Sequence, residues 1–240
     1  MENASTTVTV LVPAYNERAT IIELLERVNA QDVPGIALEI IVVDDGSTDD
    51  TVSLLEARPE LYTRLVRLEH NRGKGGAVIA GLKVASGEFV LFQDADLEYD
   101  PVDYARLLAP VLSHQADIVM GSRLIAPELT RVHYFWNKVG NRLITLLFNV
   151  LHNTTFTDIY TCYLVFRRSL ITPEELVSRG WGQQAELLSR AARRAEVIYE
   201  APISYHGRTY AQGKKIRARH VIDVVVMMVR ARLDRSTRDG

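Results

Sequence analysis

The stretch EFVLFQDADLEYD, residues 88–100, carries the reading of the whole chain. Its apolar half, Glu88 to Phe92, has the make-up of a buried strand, and it runs straight into Asp94, Asp96, Glu98 and Asp100. Four carboxylates within seven residues repel one another. Such a cluster is costly to fold unless it is well solvated or a cation sits among its oxygens.

Upstream the same grammar repeats. Thr7 to Val12 reads as a strand, and Thr20-x-x-Glu23 as a capping box opening an amphipathic helix. Leu38 to Val43 is a buried strand followed by DDGSTDD (44–50) and a helix from Asp50. Arg64 to Leu68 is a weaker strand, Lys74 to Ala85 a helix, Pro101 to Leu112 a helix and Asp117 to Met120 a strand. This alternation predicts an α/β fold whose mostly parallel sheet is covered by helices on both faces. In such sheets ligands bind outside the carboxyl ends of the strands. The polar stretches PAYNE (13–17), DDGSTDD and DADLEYD (94–100) each follow a strand, so they are expected to converge on one crevice.

The 240 residues suit one domain, or one domain with a modest appendage, and 47% hydrophobic with 24% charged residues is ordinary for a globular protein with a sizeable core. A single cysteine, Cys162, excludes an intramolecular disulfide and any CxxC site. MENASTTV lacks the basic and apolar regions of a signal peptide, and no apolar run reaches the ~18–20 residues that span a bilayer. Residues 214–238 hold eight Lys and Arg against Asp223 and Asp234, a net of +6, which leaves −8 for the rest of a chain whose total is −2. That asymmetry points to an anionic partner, with a solvated helix face as the plainer reading. RVHYFWNKVGNRLITLLFNVLHN (131–153) mixes Arg131, Lys138 and Arg142 with four aromatic residues and no acid. A core helix pair and an interfacial membrane helix fit it about equally.

Asp94 and Asp96 sit two residues apart at a strand end, so an extended backbone would point both the same way. The pair suits a hard cation, Mg²⁺ or Mn²⁺, shared with a diphosphate leaving group; a solvated acidic loop is the bland alternative. In DDGSTDD, Ser47-x-x-Asp50 is expected to cap the next helix, which leaves Asp44 and Asp45 for ligand hydroxyls or base N–H groups. The glycines of NRGKGGA (71–77) suggest phosphate approach, although the motif is neither a P-loop nor a full GxGxxG. SYHGRTYAQGKKIR (204–217) gathers Arg208, Lys214, Lys215 and Arg217 in a loop suited to phosphates.

Taken together and in order, VPAYNE, DDGSTD, NRGKGGA, DAD, GSR (121–123) and R-x-x-x-x-G-K-K resemble glycosyltransferase family 2, and within it the polyprenyl-phosphate (dolichol-phosphate mannose synthase-like) hexosyltransferases. The resemblance runs from residue 7 to about residue 217. It implies a GT-A nucleotide-diphosphosugar fold over residues 1–217, with 131–155 as membrane-interface helices within it and 218–240 as a C-terminal amphipathic basic helix and tail. It also implies inverting, metal-dependent transfer of a hexose from GDP-mannose or UDP-glucose to a polyprenyl phosphate. Position by position, Pro13, Tyr15, Glu17 and Asp45 match the nucleoside segment and Lys74 the glycine-rich segment. Asp94, Asp96 and Glu98 match the acids at the metal and diphosphate, and Arg123, Arg208 and Lys215 the basic residues for donor and acceptor phosphates. Arg131, Asp158, Gln184 and Glu186 are expected on the acceptor side. Three positions depart from the family pattern: Glu98 where Gln is usual, Gln183 where an aromatic residue is usual, and Lys214 where Ser is usual.

A hydroxyl acceptor needs a general base, for which Glu98, Asp158 and Glu186 are the candidates; a lipid phosphate arrives anionic and needs positive charge instead. The expectation is an enzyme peripheral to the cytoplasmic face of a membrane, with no nucleic-acid partner. The alternative is a soluble family 2 enzyme glycosylating a saccharide or protein hydroxyl.

Overall fold

The computed structural model describes residues 5–125, 135–180, 182–207 and 220–234. Seven strands form one sheet: β1 (Thr6–Ala14), β2 (Ile36–Asp44), β3 (Arg64–Arg67), β4 (Phe89–Phe92), β5 (Ile118–Ser122), β6 (Leu164–Arg167) and β7 (Ile198–Pro202), in the order β3-β2-β1-β4-β6-β5-β7. All neighbours run parallel except β6, which lies antiparallel between β4 and β5. β1 is an interior strand, and Val8, Val10, Leu11 and Val12 are fully buried because both faces of the sheet are covered. That explains its continuous run of apolar residues where a half-exposed strand would alternate.

The first covering helices are α1 (Ile21–Asn29), α2 (Thr51–Glu56), α3 (Lys74–Leu82) and α4 (Tyr104–His114). α1 buries Ile21, Leu24, Leu25 and Val28, the i, i+3, i+4, i+7 stripe of an amphipathic helix. The expected caps are differently made. Thr20 does not cap α1; its hydroxyl donates to the Glu17 carboxylate at 3.2 Å. Ser47 does not cap α2 either, and Asp49 Oδ1 accepts the Thr51 amide at 3.0 Å. The helix expected from Pro101 begins as a 3₁₀ turn, Pro101–Asp103, capped by Asp100, before α4 proper.

Helices α5 (Phe135–His152), α6 (Gln183–Ala192) and α7 (His220–Leu233) complete the structure. α7 packs on α6 and α5, burying Val224, Met228 and Ala231 along one face. Gly182 at the head of α6 permits this approach, since a Cβ there would lie 2.6 Å from Met227 Cγ. The Arg193 guanidinium donates to the Ala231 and Asp234 carbonyls, both at 2.9 Å, which satisfies orphan acceptors at the α7 C-terminus. Of the basic residues counted between 214 and 238, only Arg230 and Arg232 are among the described residues. No helix of the described residues is long and apolar enough to cross a membrane.

The docked face of α7 makes a graded prediction. Met228→Ala should destabilise the protein by about 2–4 kcal/mol, as deletion of a buried side chain does. Val226→Ala, on the exposed face, should stay within about 0.5 kcal/mol. Urea unfolding of the two variants checks this, and equal small effects would mean that α7 does not contribute to the core.

Candidate active site

Parallel strands deliver their loops to one edge, and here those loops wall a cleft of about 560 Å³. Pro13 lies at the end of β1 and Tyr15 and Glu17 follow it, Asp45 follows β2, Asn71, Gly73 and Lys74 follow β3, and Asp94, Asp96, Glu98 and Tyr99 follow β4. Arg123, Tyr160, Cys162, Arg179, Gln183, Gln184 and Tyr205 close it from the other side.

The loops after β1 and β2 are tied together. Asn16 donates its amide to Ser47 Oγ at 2.9 Å and accepts the Thr48 amide on its side chain at 2.8 Å. Asp44 and Asp45 then part company. Asp44 closes its own turn by accepting the Ser47 amide, so it is a structural residue. Asp45 lines the cleft and accepts the Arg72 amide at 2.7 Å. Burial pushes its carboxyl up from the usual value, and the Arg72 and Gly73 amides offset part of that rise.

The glycines of NRGKGGA have a packing role that the motif alone does not show. A Cβ on Gly73 would lie 2.4 Å from the Arg179 carbonyl oxygen, and one on Gly75 would lie 2.2 Å from that of Ser178. The backbone of 178–179 therefore rests directly on the opening of α3, where the Gly75 amide donates to the Arg179 carbonyl at 3.0 Å. Phosphate approach at that amide is already taken by protein.

Asp94 and Asp96 both line the cleft, though not by the extended geometry expected. The chain turns after β4, with Leu97 at φ 59°, and Asp96 Oδ1 accepts the Glu98 amide at 3.1 Å. Lys74 Nζ bonds Asp94 directly and lies 3.7 Å from Cys162 Sγ. Lost hydration would lower the Lys74 ammonium, but the Asp94 charge outweighs it and holds the lysine above its ordinary value. Burial, with Asp94 beside it, pushes the Cys162 thiol well up, which makes it an unreactive wall residue.

Glu98 also lines the cleft, and its carboxylate accepts the Tyr205 hydroxyl at 2.7 Å. Among the described residues no group of three His, Cys, Asp or Glu side chains converges as a metal site, so the three-carboxylate set expected at Asp94, Asp96 and Glu98 is not assembled. Two carboxylates fit a divalent cation nevertheless. Mg²⁺ is commonly held by one or two carboxylates, with substrate phosphates and water completing the shell. The Lys74 ammonium already seated on Asp94 marks that carboxylate as a cation position.

Opposite the acids, Arg123 is fixed by Asp158. Its Nε and Nη2 donate to the two carboxylate oxygens at 2.7 and 2.9 Å, and Nη2 also reaches the Tyr160 carbonyl. Asn141 of α5 donates to Asp158 Oδ1 at 2.9 Å, and the guanidinium lies 5.0 Å from the centre of the Tyr205 ring. Asp158 is fully buried; burial alone would raise its pKa, but Arg123 and these donors hold it below the usual carboxylate value.

Ten expected residues thus line the cleft: Pro13, Tyr15, Glu17, Asp45, Lys74, Asp94, Asp96, Glu98, Arg123 and Gln184. Two do not. Asp158 sits behind Arg123, and Glu186 is fully buried, accepting the Val177 and Ser178 amides and pairing with Arg190 at 3.3 Å. Neither lines the cleft, because each carboxylate is engaged by neighbours that fold the wall. Arg131, Arg208 and Lys215 lie outside the described residues. Sequence reading missed Arg179, Tyr99, Tyr160 and Tyr205; Tyr99 and Tyr205 lie in the two charged stretches singled out, but neither belongs to the charge pattern that marked them.

The glycosyl transferase family 2 model matches residues 9–172, which include the cleft loops after β1, β2, β3 and β4 and the Arg123–Asp158 pair. The chain belongs to glycosyl transferase family 2. Among curated relatives of this family 2 chain, the glycosyltransferase AglJ of Haloferax volcanii is 31% identical over 205 residues, covering 84% of this chain and 63% of that protein. The undecaprenyl-phosphate 4-deoxy-4-formamido-L-arabinose transferase of Pseudomonas aeruginosa is 36% identical over 169 residues, 68% of this chain and 48% of that protein. The chain therefore spans between about half and just under two thirds of the length of these relatives. In fold it is similar to glucosyl-3-phosphoglycerate synthase from Mycobacterium tuberculosis in complex with UDP, with a TM-score of 0.69 at 22% identity over 96% of this chain and 81% of that one. The complex of that synthase with Mn²⁺, UDP and glucosyl-3-phosphoglycerate gives 0.67 at 22% identity over 95% and 81%. The expected GT-A fold, with its mostly parallel sheet, is the fold of this family 2 member.

The buried pair predicts a pH signature. Because the Asp158 pKa is depressed in the folded state, its contribution is present above the unfolded carboxylate pKa and lost as pH falls through the lower folded value. Asp158→Asn, which leaves Arg123 without its counter-charge, should cost about 3–5 kcal/mol at pH 7. Its stability should also fall less steeply than that of the parent below pH ~4. Urea unfolding at pH 7 and pH 3 measures both; parallel acid limbs would remove Asp158 from the linkage.

Proposed function

We propose that this chain transfers a hexose, with inversion, from a nucleoside diphosphate sugar to a polyprenyl phosphate at a membrane surface. The observation that carries this reading is the opposition, across one cleft, of the Asp94/Asp96 pair and the Asp158-held Arg123. Asp45, with Pro13, Tyr15 and Glu17, bounds the part of the cleft suited to a nucleoside, and its carboxylate offers oxygens to hydroxyl or N–H groups. A divalent cation, Mg²⁺ or Mn²⁺, bound by Asp94 and Asp96 would supply charge neutralisation to the departing diphosphate. Lys74, which pairs with Asp94 in this structure, would then be available to a phosphate oxygen. Arg123 holds the acceptor phosphate, whose oxygen forms the new bond to the anomeric carbon as the bond to the donor diphosphate breaks.

The choice of acceptor follows from the bases available. Of the three considered, Asp158 is a buried carboxylate paired with Arg123, and Glu186 is outside the cleft. Glu98 accepts the Tyr205 hydroxyl. An acceptor already anionic needs no base, which favours a phosphate over a hydroxyl. The Pseudomonas aeruginosa relative is named for an undecaprenyl-phosphate, in agreement. Donors to try first are GDP-mannose and UDP-glucose.

The membrane component rests on α5. Trp136, Leu143, Leu146 and Val150 follow one helical stripe and are all more than half exposed, with Lys138 and Arg142 alongside. Aromatic and aliphatic residues flanked by cations are the composition of an interfacial helix. The soluble-acceptor reading has no comparable use for this face.

Radiolabelled hexose should pass from a nucleotide sugar into organic-extractable polyprenyl phosphate in the presence of Mg²⁺ or Mn²⁺, and EDTA or Asp96→Ala should abolish the transfer. Label entering only water-soluble products would favour the hydroxyl-acceptor alternative. Trp136→Ser with Leu143→Ser should reduce co-sedimentation with anionic liposomes by about ten-fold, as expected when roughly 1.4 kcal/mol or more of apolar burial is lost. Unchanged sedimentation would assign the α5 face to another partner.

A further inference from the structure

The cleft proposed to receive a diphosphate is itself acidic. Among the described residues lining it, Glu17, Asp45, Asp94, Asp96 and Glu98 outnumber Lys74, Arg123 and Arg179. Lys74 is committed to Asp94 and Arg123 to Asp158. Arg179 alone of the three forms no ion pair among the described residues. Among the described residues, Arg179 is therefore the cleft guanidinium that offers a polyanion donors not shared with a carboxylate.

That guanidinium is placed by the fold. The Val177 and Ser178 amides are held by the Glu186 carboxylate, at 3.1 and 2.8 Å, and the Arg179 carbonyl is held by the Gly75 amide. One residue further along α3, a Cβ on Gly76 would lie 2.5 Å from Arg72 Cβ and 3.7 Å from Arg179 Nη1. The side chains of Arg72 and Arg179 thus lie over the same glycine. Beside them a shallow pocket of about 490 Å³ is lined by His70, Asn71, Arg72 and Arg179, and it shares Asn71 and Arg179 with the cleft. Like Arg179, Arg72 forms no ion pair among the described residues, although its charge acts on the Asp45 carboxylate. Two guanidiniums over one glycine, neither of them in an ion pair, repel each other, and a phosphate group between or beside them relieves that repulsion while accepting their planar donors.

We infer that Arg179, with Arg72 beside it, is the guanidinium contact to the diphosphate of the nucleotide donor. The inference rests on the nucleotide-sugar reading and adds to it a residue that no motif marks. It also gives Glu186 a positioning part, through the backbone of 177–179, in place of acceptor contact. Arg179 engages phosphate oxygens and leaves the nucleoside to Tyr15 and Asp45.

Calorimetry tests this with UDP, GDP, ADP, CDP and dTDP in Mg²⁺, and with the nucleoside of whichever diphosphate binds. Arg179→Ala should weaken the diphosphate by about ten-fold or more, the scale of a lost charge-assisted hydrogen bond, and leave the nucleoside unchanged. Arg179→Lys should keep part of the affinity, and Arg72→Ala should lose less than Arg179→Ala. Arg179 is exposed, so the variant should retain the parent circular dichroism and melting temperature. Equal diphosphate affinity in Arg179→Ala and parent would overturn the inference while leaving the donor reading standing. An equal loss for diphosphate and nucleoside would also overturn it, because a general distortion of the cleft produces that pattern. A parent protein that binds none of the diphosphates would remove the donor reading, and the inference with it.

Discussion

Parallel pairing of β1 with both β2 and β4 is the constraint on which the site depends. Its register sets Ala14 beside Asp44 and Leu11 beside Phe92, so both neighbouring strands end at the same edge as β1. The ladder reaches into the loops themselves: Asp45 donates its amide to the Ala14 carbonyl, Leu68 to that of Asp44, and Gln93 to that of Leu11. Backbone hydrogen bonds therefore aim the first residues of each acidic loop before any side chain interacts. The apolar strands behind supply the stability that lets these loops hold carboxylates close together, an arrangement they could not maintain alone.

Charge in the cleft is handled by two ion pairs of different kinds. Lys74 and Asp94 are 41% and 23% exposed at their side chains, whereas Arg123 and Asp158 are 17% and 0% exposed. A partly solvated lysine pair contributes little net stability, and lysine binds as a point charge on a flexible stem, so this pair can exchange partners. The second pair is bidentate, buried on the acid side and reinforced by Asn141 and by the Tyr160 amide. Breaking it would leave an unpaired charge in the protein interior, which makes it a fixed support for the guanidinium. One wall can therefore respond to a ligand while the other holds its shape.

The sheet was legible because its strands are unbroken apolar runs ending in polar loops, and the convergence of those loops follows from parallel topology alone. The antiparallel insertion of β6 was not legible, since Leu164 to Arg167 differs in no pattern from a parallel strand and its place is set by pairing with β4 and β5. Among site residues, Asp45 and Asp94 could be named from their position after a strand. Asp158 and Glu186 could not be told from ligand contacts, because a carboxylate that braces a loop and one that faces a substrate are the same letter. What separates them is the set of donors around each: Arg123 and Asn141 for one, Val177, Ser178 and Arg190 for the other. The glycines before α3 misled for a similar reason. Close backbone approach was the right inference, but the partner is the 178–179 segment, more than a hundred residues along the chain and in no motif, and only tertiary packing identifies it.

Helix α5 joins the two halves of the functional argument. Its outer face carries Trp136, Leu143, Leu146 and Val150, while its inner face buries Ile144 and Phe148 and sends Asn141 to the Asp158 carboxylate. Further along, Asn149 donates to the Phe156 carbonyl at 2.8 Å and accepts the Phe156 amide at 3.0 Å, which fixes the turn leading into Asp158. The helix with the exposed apolar stripe is thus the one that braces the anchor of Arg123. An amphiphile whose phosphate sits on Arg123 needs its hydrocarbon to leave the cleft beside an apolar surface, because stranding that chain in water would cost about 0.8 kcal/mol per methylene. In the proposed reading the same helix offers such a surface, for which a water-soluble acceptor would have no use.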